Sequence, residues 1–482
     1  MKHFAALLAG LAALALPPLA SADEQPITST AQSGETMEAF EGTFAVPERR
    51  ANPDSRELTL HYVRFPATGE TAGPPIIYLA GGPGGSGIST AEGRRFPLFM
   101  AMREFGDVIA FDQRGTGRSR DIERCDSGVP DRADEVLTDE EIAESRREAI
   151  AACADIWTAQ GVDILGYTTL ESAHDLSDLR EHLGAERISL WGISYGSHLA
   201  MAAIDAIPRE LERVIIASAE GLDQTVKLPA ETDAYFARIQ AAIETQPAAR
   251  ERYGDVAVMM RRVQAELEAD PILISLSDGE GGTADFLITR QIAQQVASAL
   301  IADPGTVGLL LQVYEAMAAR NTAMLTPIFQ RFADTDPTIT LDAMSTLMDV
   351  ASGISEDRLA LFEVQAPNGI VGRYLNFPMP QATGVIDGLD LGPDFRDGPH
   401  GDVPVLLLTG TLDGRTYIAE QAAAVAGLSD VTQVMVVNAG HNLFMTTPEV
   451  GEVMGDFMRG DPVRTLEITV DLPDFTVNPF GG

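Results

Sequence analysis

The stretch 187–200, RISLWGISYGSHLA, constrains this chain more than any other. A β-type run at 188–191 meets Gly192-Ile193-Ser194-Tyr195-Gly196, and a helix of small residues follows at 198–204. A G-x-S-x-G pentapeptide between strand and helix predicts a sharp turn that lifts the serine hydroxyl clear of the backbone. Gly192 and Gly196 are needed where strand and helix come too close for side chains. The pentapeptide alone occurs in many loops; the flanking strand and helix make it informative. A serine so displayed reacts only if a base takes its proton and a third group orients that base.

The first residues stand apart from the fold. Lys2 and His3 precede an apolar run at 4–16, then Pro17-Pro18 and Ala20-Ser21-Ala22. That order predicts a secretory signal cut after Ala22, because about 13 apolar residues are short for a membrane anchor. No other stretch is apolar enough to cross a bilayer, so the expected location is periplasmic or secreted, without stable membrane insertion. Export gives the two cysteines, Cys125 and Cys153, an oxidising compartment in which to form a disulfide. Two buried free thiols are the alternative.

A chain of 482 residues suits one large α/β domain with an insertion, and 45% hydrophobic with 22% charged content marks it as globular. The net charge of −37 argues against nucleic acid or anionic lipid as a partner. Only Lys2 and Lys227 are lysine; the other basic residues are arginine. Nothing in the sequence indicates an oligomeric state.

Residues 23–35 are polar and are expected to be mobile. Residues 40–46 and 57–65 alternate with the period of half-buried strands and predict an antiparallel hairpin at a sheet edge. Continuous apolar runs at 75–79, 107–111, 213–217, 403–408 and 433–437 predict strands buried on both faces. Thr138 and Glu141 form a capping box opening a helix to about residue 160, which carries Cys153. A second helix at 169–183 bears His174 and His182, read as ordinary half-buried residues. From Leu222 to Asn376 helical periodicity replaces strand–helix alternation. There Leu309, Leu310, Leu311, Met317 and Met324 read as a separate core. The chain thus divides into a signal (1–22), a first core part (23–221), a helical cap insertion (222–395) and a second core part (396–482).

The run at 75–79 leads into Ala80-Gly81-Gly82-Pro83-Gly84-Gly85-Ser86-Gly87. This loop lacks the lysine of a phosphate-binding P-loop, and a helix expected within 91–103 argues against a linker. Crowded glycines let backbone N–H groups face a reaction centre. Pro83 has no N–H, so the oxyanion donor is expected at Gly82, with Gly81 as the fallback, beside the N–H of Tyr195. Residues 112–119 read as a structural turn next to the site.

Asp413 follows the run at 403–408, and His441 follows the run at 433–437. Both lie past the C-terminal ends of predicted strands, where open α/β sheets place their sites. Asp402 and Asp430 precede their strands and belong to the opposite end. The order Ser194, Asp413, His441 is that of α/β-hydrolases. The expected chemistry is acyl transfer, with Ser194 as nucleophile, His441 as base and Asp413 as the acid that orients it. Neither a metal nor an organic cofactor is expected, since no H-E-x-x-H, cysteine cluster or dinucleotide fingerprint is present.

The pieces LAGGPGGSG (79–87), DQRGTGRS (112–119), YTTLESAHDLSDLREHLG (167–184), WGISYGS (191–197), VPVLLLTGTLDGRT (403–416) and Gly440-His441 form a specific combination. Together they resemble the serine peptidases of the proline iminopeptidase family, especially its secreted tripeptidyl-aminopeptidase-like branch. The resemblance implies an α/β-hydrolase fold: a mostly parallel central sheet flanked by helices, with an inserted helical cap domain. It implies release of short N-terminal fragments from peptides, often with proline. It also implies that acidic side chains near the cap recognise the free amino terminus. Glu220, at the cap entrance, is the candidate, and a solvated hinge glutamate is the alternative reading. Two departures stand out: Ala80 occupies a position where iminopeptidases often carry His, and 347–352 lacks the cysteines common in the secreted branch. The expected partner is a peptide or small acyl substrate. A carboxylesterase or lipase-like hydrolase would use the same three side chains under a different cap pocket.

Overall fold

The computed structural model describes residues 24–69, 73–278, 281–333 and 336–477. The predicted signal at 1–22 lies outside the described residues. Strands form at Gln25–Thr30 (β1), Thr36–Pro47 (β2), Glu57–Phe65 (β3), Gly73–Leu79 (β4), Gly106–Asp112 (β5), Cys125–Pro130 (β6) and Ile188–Ser194 (β7). They continue at Leu211–Ala219 (β8), Ile272–Ser277 (β9), Thr283–Ile288 (β10), Thr338–Leu341 (β11), Val405–Gly410 (β12), Val431–Val437 (β13) and Glu467–Thr469 (β14).

One ten-stranded sheet runs in the order β1-β2-β3-β5-β4-β7-β8-β12-β13-β14. Its first three strands pair antiparallel, and β3 pairs antiparallel with β5. From β5 to β14 every pairing is parallel. The continuous apolar runs follow from this, because a parallel strand with helices on both sides has no wet face. Ile77, Leu79, Leu190, Ile216 and Leu407 point to one side, where they meet helices Asp139–Ala159, Thr169–His182 and Tyr195–Ala206. Their neighbours Ile76, Tyr78, Trp191, Ile215 and Leu406 point to the other, against helices Phe96–Met102 and Pro448–Arg459.

The strand order positions the site. From β4 the chain crosses leftward to β5, whereas from β7 it crosses rightward to β8. The loops leaving β4 and β7 therefore diverge and open a crevice at the C-terminal strand ends, the usual ligand position in such sheets. This is the α/β-hydrolase fold, with a mostly parallel central sheet and flanking helices.

Several local expectations are corrected. The polar segment at 23–35 contributes β1, whose burial alternates weakly because it is the sheet's outer edge. The hairpin of β2 and β3 is thus the second and third strand, one step in from that edge. The single helix expected within 91–103 is two, Gly87–Glu92 and Phe96–Met102, divided where Gly93 closes the first. The segment at 222–395 is not wholly helical: β9 and β10 form an antiparallel hairpin, and β11 pairs with β6. Its apolar residues also join two different cores. Leu309, Leu310, Leu311 and Met317 pack with Tyr235, Ile239 and Phe329, and Met324 lies against that group. Met344, Leu347, Met348 and Val350, on helix Ala343–Ser352, pack instead with the body of the sheet. Among the described residues no helix is long and apolar enough to cross a membrane.

The capping box at Thr138 forms as expected, with Thr138 Oγ1 accepting from the Glu141 N–H and the Glu141 carboxylate accepting from the Thr138 N–H. The helix it opens carries Cys153, which is disulfide-bonded to Cys125 at the start of β6. The bridge ties β6, and through it β11 of the inserted segment, to the body of the fold. Cross-linking residues 28 apart in sequence contributes about 3–4 kcal/mol in the chain-entropy model. The double substitution Cys125→Ala/Cys153→Ala is expected to lower the unfolding free energy by about that amount, measured as a lower urea midpoint at matched pH.

Candidate active site

The elbow has the geometry its glycines require. Ser194 closes β7 with φ 56° and ψ −129°, a left-handed conformation that costs a non-glycine residue about 1–3 kcal/mol. A side chain at Gly196 would begin 2.1 Å from the Leu79 carbonyl oxygen, and one at Gly192 would begin 2.4 Å from the Gly196 oxygen. Tyr195 is the first residue of the following helix, so its N–H has no intrahelical acceptor and points out of the helix start. Ser197 Oγ donates to the Ser194 carbonyl (2.5 Å), bracing the turn from within the helix.

The glycine loop after β4 lies directly against this serine. A methyl placed on Gly81 would sit 3.1 Å from Ser194 Cβ and 3.7 Å from its Oγ. Gly85 N–H donates to the Gly81 carbonyl, closing the loop on itself. The Gly82 N–H, among the described residues, donates to no protein group. Gly82 also has φ +128°, a conformation that favours glycine. Two free backbone donors, at Gly82 and Tyr195, therefore flank the Ser194 side chain.

The turn at 112–119 fixes that loop from below. Asp112 accepts from Ser86 Oγ (2.6 Å), the Ile88 N–H (3.1 Å) and the Arg118 N–H (2.8 Å). Gln113 Nε2 donates to the Ala80 carbonyl (3.2 Å). Arg114 is fully buried, held by both oxygens of Asp175 at 2.7 Å and by the carbonyls of Glu48 and Gly166.

Asp413 and His441 lie side by side. His441 Nδ1 lies 2.9 Å from Asp413 Oδ2, which fixes the tautomer with the proton on Nδ1 when the imidazole is neutral. Asp413 is fully buried and takes further hydrogen bonds from the N–H groups of Arg415 (2.7 Å) and Thr416 (2.9 Å) and from Thr416 Oγ1 (2.6 Å). Burial alone would raise its pKa; the charge and hydrogen bond of His441, with the bonds from Thr416, prevail and hold it below the usual carboxylate value. Asp413 therefore stays ionised at neutral pH.

Ser194 is placed beside this pair but is not bonded to it: no hydrogen bond joins Ser194 Oγ to His441. Ser194 ends β7 and His441 follows β13, with β8 and β12 between them in the sheet. Ser194 is in register with Ala219 at the end of β8, and the preceding Ser218 donates through Oγ to the His441 carbonyl (2.8 Å). Such contacts are often long before substrate binds. The arrangement sets a strained, partly exposed hydroxyl, an oriented imidazole and two free N–H donors at one crevice, which is the equipment for attack on a carbonyl carbon.

The inserted segment touches both loops. His441 N–H donates to the Ala302 carbonyl (2.9 Å), and Asn442 binds Asp303 through its N–H (3.1 Å) and Nδ2 (2.6 Å). A side chain on Gly414, next to Asp413, would begin 2.2 Å from the Ile301 oxygen.

Glu220 corrects a simpler expectation. It is 7% exposed, which removes the solvated-hinge reading. Its Oε2 is already taken by Lys227 Nζ at 2.5 Å. Burial pulls the Lys227 pKa below its ordinary value, against the pull of Glu220. His198 is also fully buried, and burial lowers its pKa. A neutral ring there donates from Nδ1 to the Gly221 carbonyl (3.1 Å) and accepts at Nε2 from Ser352 Oγ (3.0 Å). The approach of Lys227, His198 and Asp349 to Glu220 was not expected. The one hint was that Lys227 is one of just two lysines. His174 and His182 stay outside the constellation, with His182 stacked on Phe44 and bonded to the Tyr62 hydroxyl.

Known proteins resemble part of the chain. Residues 74–279 match the family described as alpha/beta hydrolase fold. The chain is 30% identical over 186 residues to serine protease Hip1 of Mycobacterium tuberculosis, covering 36% of this chain and 35% of that one. It is 29% identical over 192 residues to tripeptidyl aminopeptidase of Streptomyces coelicolor, with 37% and 34% covered. It is 28% identical over 142 residues to proline iminopeptidase of Xanthomonas citri, with 30% and 31% covered. The matches thus span about a third of the length of these curated relatives. By sheet order, strained elbow and matched segment, the chain has the fold of the α/β hydrolases.

Proposed function

We propose that the protein is an exported serine hydrolase, an aminopeptidase that releases short fragments from the N-termini of peptides through an acyl-enzyme on Ser194. The observation that carries this reading is the buried Asp413 carboxylate bound to His441 Nδ1 at 2.9 Å beside the strained Ser194. His441 accepts the Ser194 proton as Oγ attacks the scissile carbonyl, and Asp413 stabilises the imidazolium that results. The N–H groups of Gly82 and Tyr195 receive the developing oxyanion, each worth about 3–4 kcal/mol by precedent. His441 then protonates the leaving amine, and water releases the acyl group by the same steps in reverse.

The choice of peptides over other acyl substrates is supported by the similarity to proteins named serine protease, tripeptidyl aminopeptidase and proline iminopeptidase. Export is supported by the Cys125–Cys153 disulfide, a bond that persists in oxidising compartments.

A fluorophosphonate probe is expected to label the protein at Ser194 alone, and Ser194→Ala is expected to abolish both labelling and turnover. Asp413→Asn is expected to retain the fold but to lower kcat by roughly four orders of magnitude, because the imidazole then favours the wrong tautomer. Paired chromogenic peptides with free and acetylated N-termini decide the substrate class. Preference for the free amine supports the aminopeptidase, whereas equal turnover of both, with faster cleavage of simple esters, would mark a carboxylesterase.

A further inference from the structure

We propose that a cavity along helix Arg290–Leu300 receives the leaving chain of the peptide substrate and selects apolar residues after the cleaved bond. This rests on the aminopeptidase reading above and adds to it the class of peptide that the site accepts.

The cavity holds about 400 Å³ and lies between the inserted segment and the stretch 130–146 of the first core part. Ligand pockets usually hold roughly 300–1,000 Å³. Its floor is one face of helix Arg290–Leu300, where Ile292, Val296 and Ala299 stand at i, i+4 and i+7. Ile292 and Val296 are half-buried and Ala299 is exposed, so this face is open rather than packed away. Leu137, Ile142 and Ile339 add to the apolar lining. Val136, next to Leu137, is 66% exposed and carries the apolar surface outward.

Four charged residues line the cavity, and they pair with one another: Arg146 with Asp131 at 3.5 Å and Arg132 with Glu135 at 3.7 Å. Two positive and two negative charges cancel, so a chain of net charge −37 presents here a neutral, apolar channel. Such a lining penalises a charged occupant, which would lose its water without gaining a partner.

Both walls run into the catalytic crevice. Leu300 lines the cavity, and two residues further on the Ala302 carbonyl accepts the His441 N–H (2.9 Å). Two residues of chain span at most about 7 Å. Ile339 belongs to β11, which pairs with β6 and leads into helix Ala343–Ser352. On that helix Ser345 packs on the glycine loop, where a side chain on Gly84 would begin 3.7 Å from Ser345 Cβ. One wall therefore ends at the base and the other at the loop beside Ser194.

The chemistry decides which half of the substrate lies here. His441 protonates the leaving amine, so the leaving chain starts at the imidazole. The segment that holds the imidazole loop is the one that continues into the cavity floor. From Ile292 to Leu300 the helix rises about 12 Å, the length of about three to four extended residues. The released fragment is short, whereas the remaining chain needs an open path across the surface, which the exposed face at Ala299 provides.

The test uses peptides that share one N-terminal sequence cleaved by wild type and differ in the tail after the cut: leucines, serines or aspartates. Active sites are counted by fluorophosphonate titration. Wild type is expected to favour the leucine tail over the serine tail by about tenfold or more in kcat/KM, chiefly through KM, with the aspartate tail poorest. Val296→Asp is expected to lose that preference and Val296→Leu to keep it. A leucine preference that survives in Val296→Asp overturns the assignment. Should Val296→Asp yield no active sites, Ala299→Glu, at an exposed position, decides by the same criterion. N-acetylated copies of the peptides separate the two readings. A wild type that prefers the free amine but is indifferent to the tail refutes this assignment alone. Equal cleavage of free and acetylated peptides removes the aminopeptidase reading and this assignment with it.

Discussion

The site depends on one close approach, that of the elbow helix to the end of β4. Gly196 sits so near the Leu79 carbonyl that even a methyl would overlap it at 2.1 Å. That contact lets β7 lie beside β4 while its following helix folds back over both. It also forces Ser194 into a backbone conformation that an isolated peptide would avoid. The strain persists because the strands on either side, β4 and β8, are buried and fully paired. The same proximity lays the Gly81 backbone against the serine side chain, so the turn and the glycine loop are placed by a single packing event.

Buried charge holds the neighbouring loops in register. Asp112 collects three donors from the glycine-loop helix and its own turn, and Arg114 binds Asp175 and two backbone carbonyls with no exposed surface. A guanidinium so deep is tolerable only with its donors satisfied. Removing Asp175 would leave an uncompensated charge next to the loop that Gln113 supports. These interactions are structural, yet they determine where the Gly82 N–H points.

The features legible in the sequence are those encoded locally. Apolar runs marked the doubly buried strands, the glycines of the elbow marked its turn, and the Thr138–Glu141 spacing marked a helix start that forms as read. Asp413 and His441 were legible from their places after such runs, and the structure brings them within a hydrogen bond. β1 was missed because an outer strand of QPITST buries little and leaves almost no alternation. The β9–β10 hairpin was hidden inside a helical stretch whose turn chemistry was taken for a break. Glu220 was seen, but its partner was not. Pairing of a buried lysine seven residues away, and the approach of Asp349 from a distant helix, are products of tertiary packing that no spacing rule reports.

The segment at Ile301, Ala302 and Asp303 grips the chain on both sides of the imidazole. It supplies the acceptor for the His441 N–H, two acceptors for Asn442, and the carbonyl that only a glycine at 414 can approach. The inserted segment and the histidine loop are thereby mechanically continuous. A swing of the inserted segment away from the sheet would have to break these bonds or carry the histidine loop with it, so the position of the imidazole is set from outside the sheet as much as from within it.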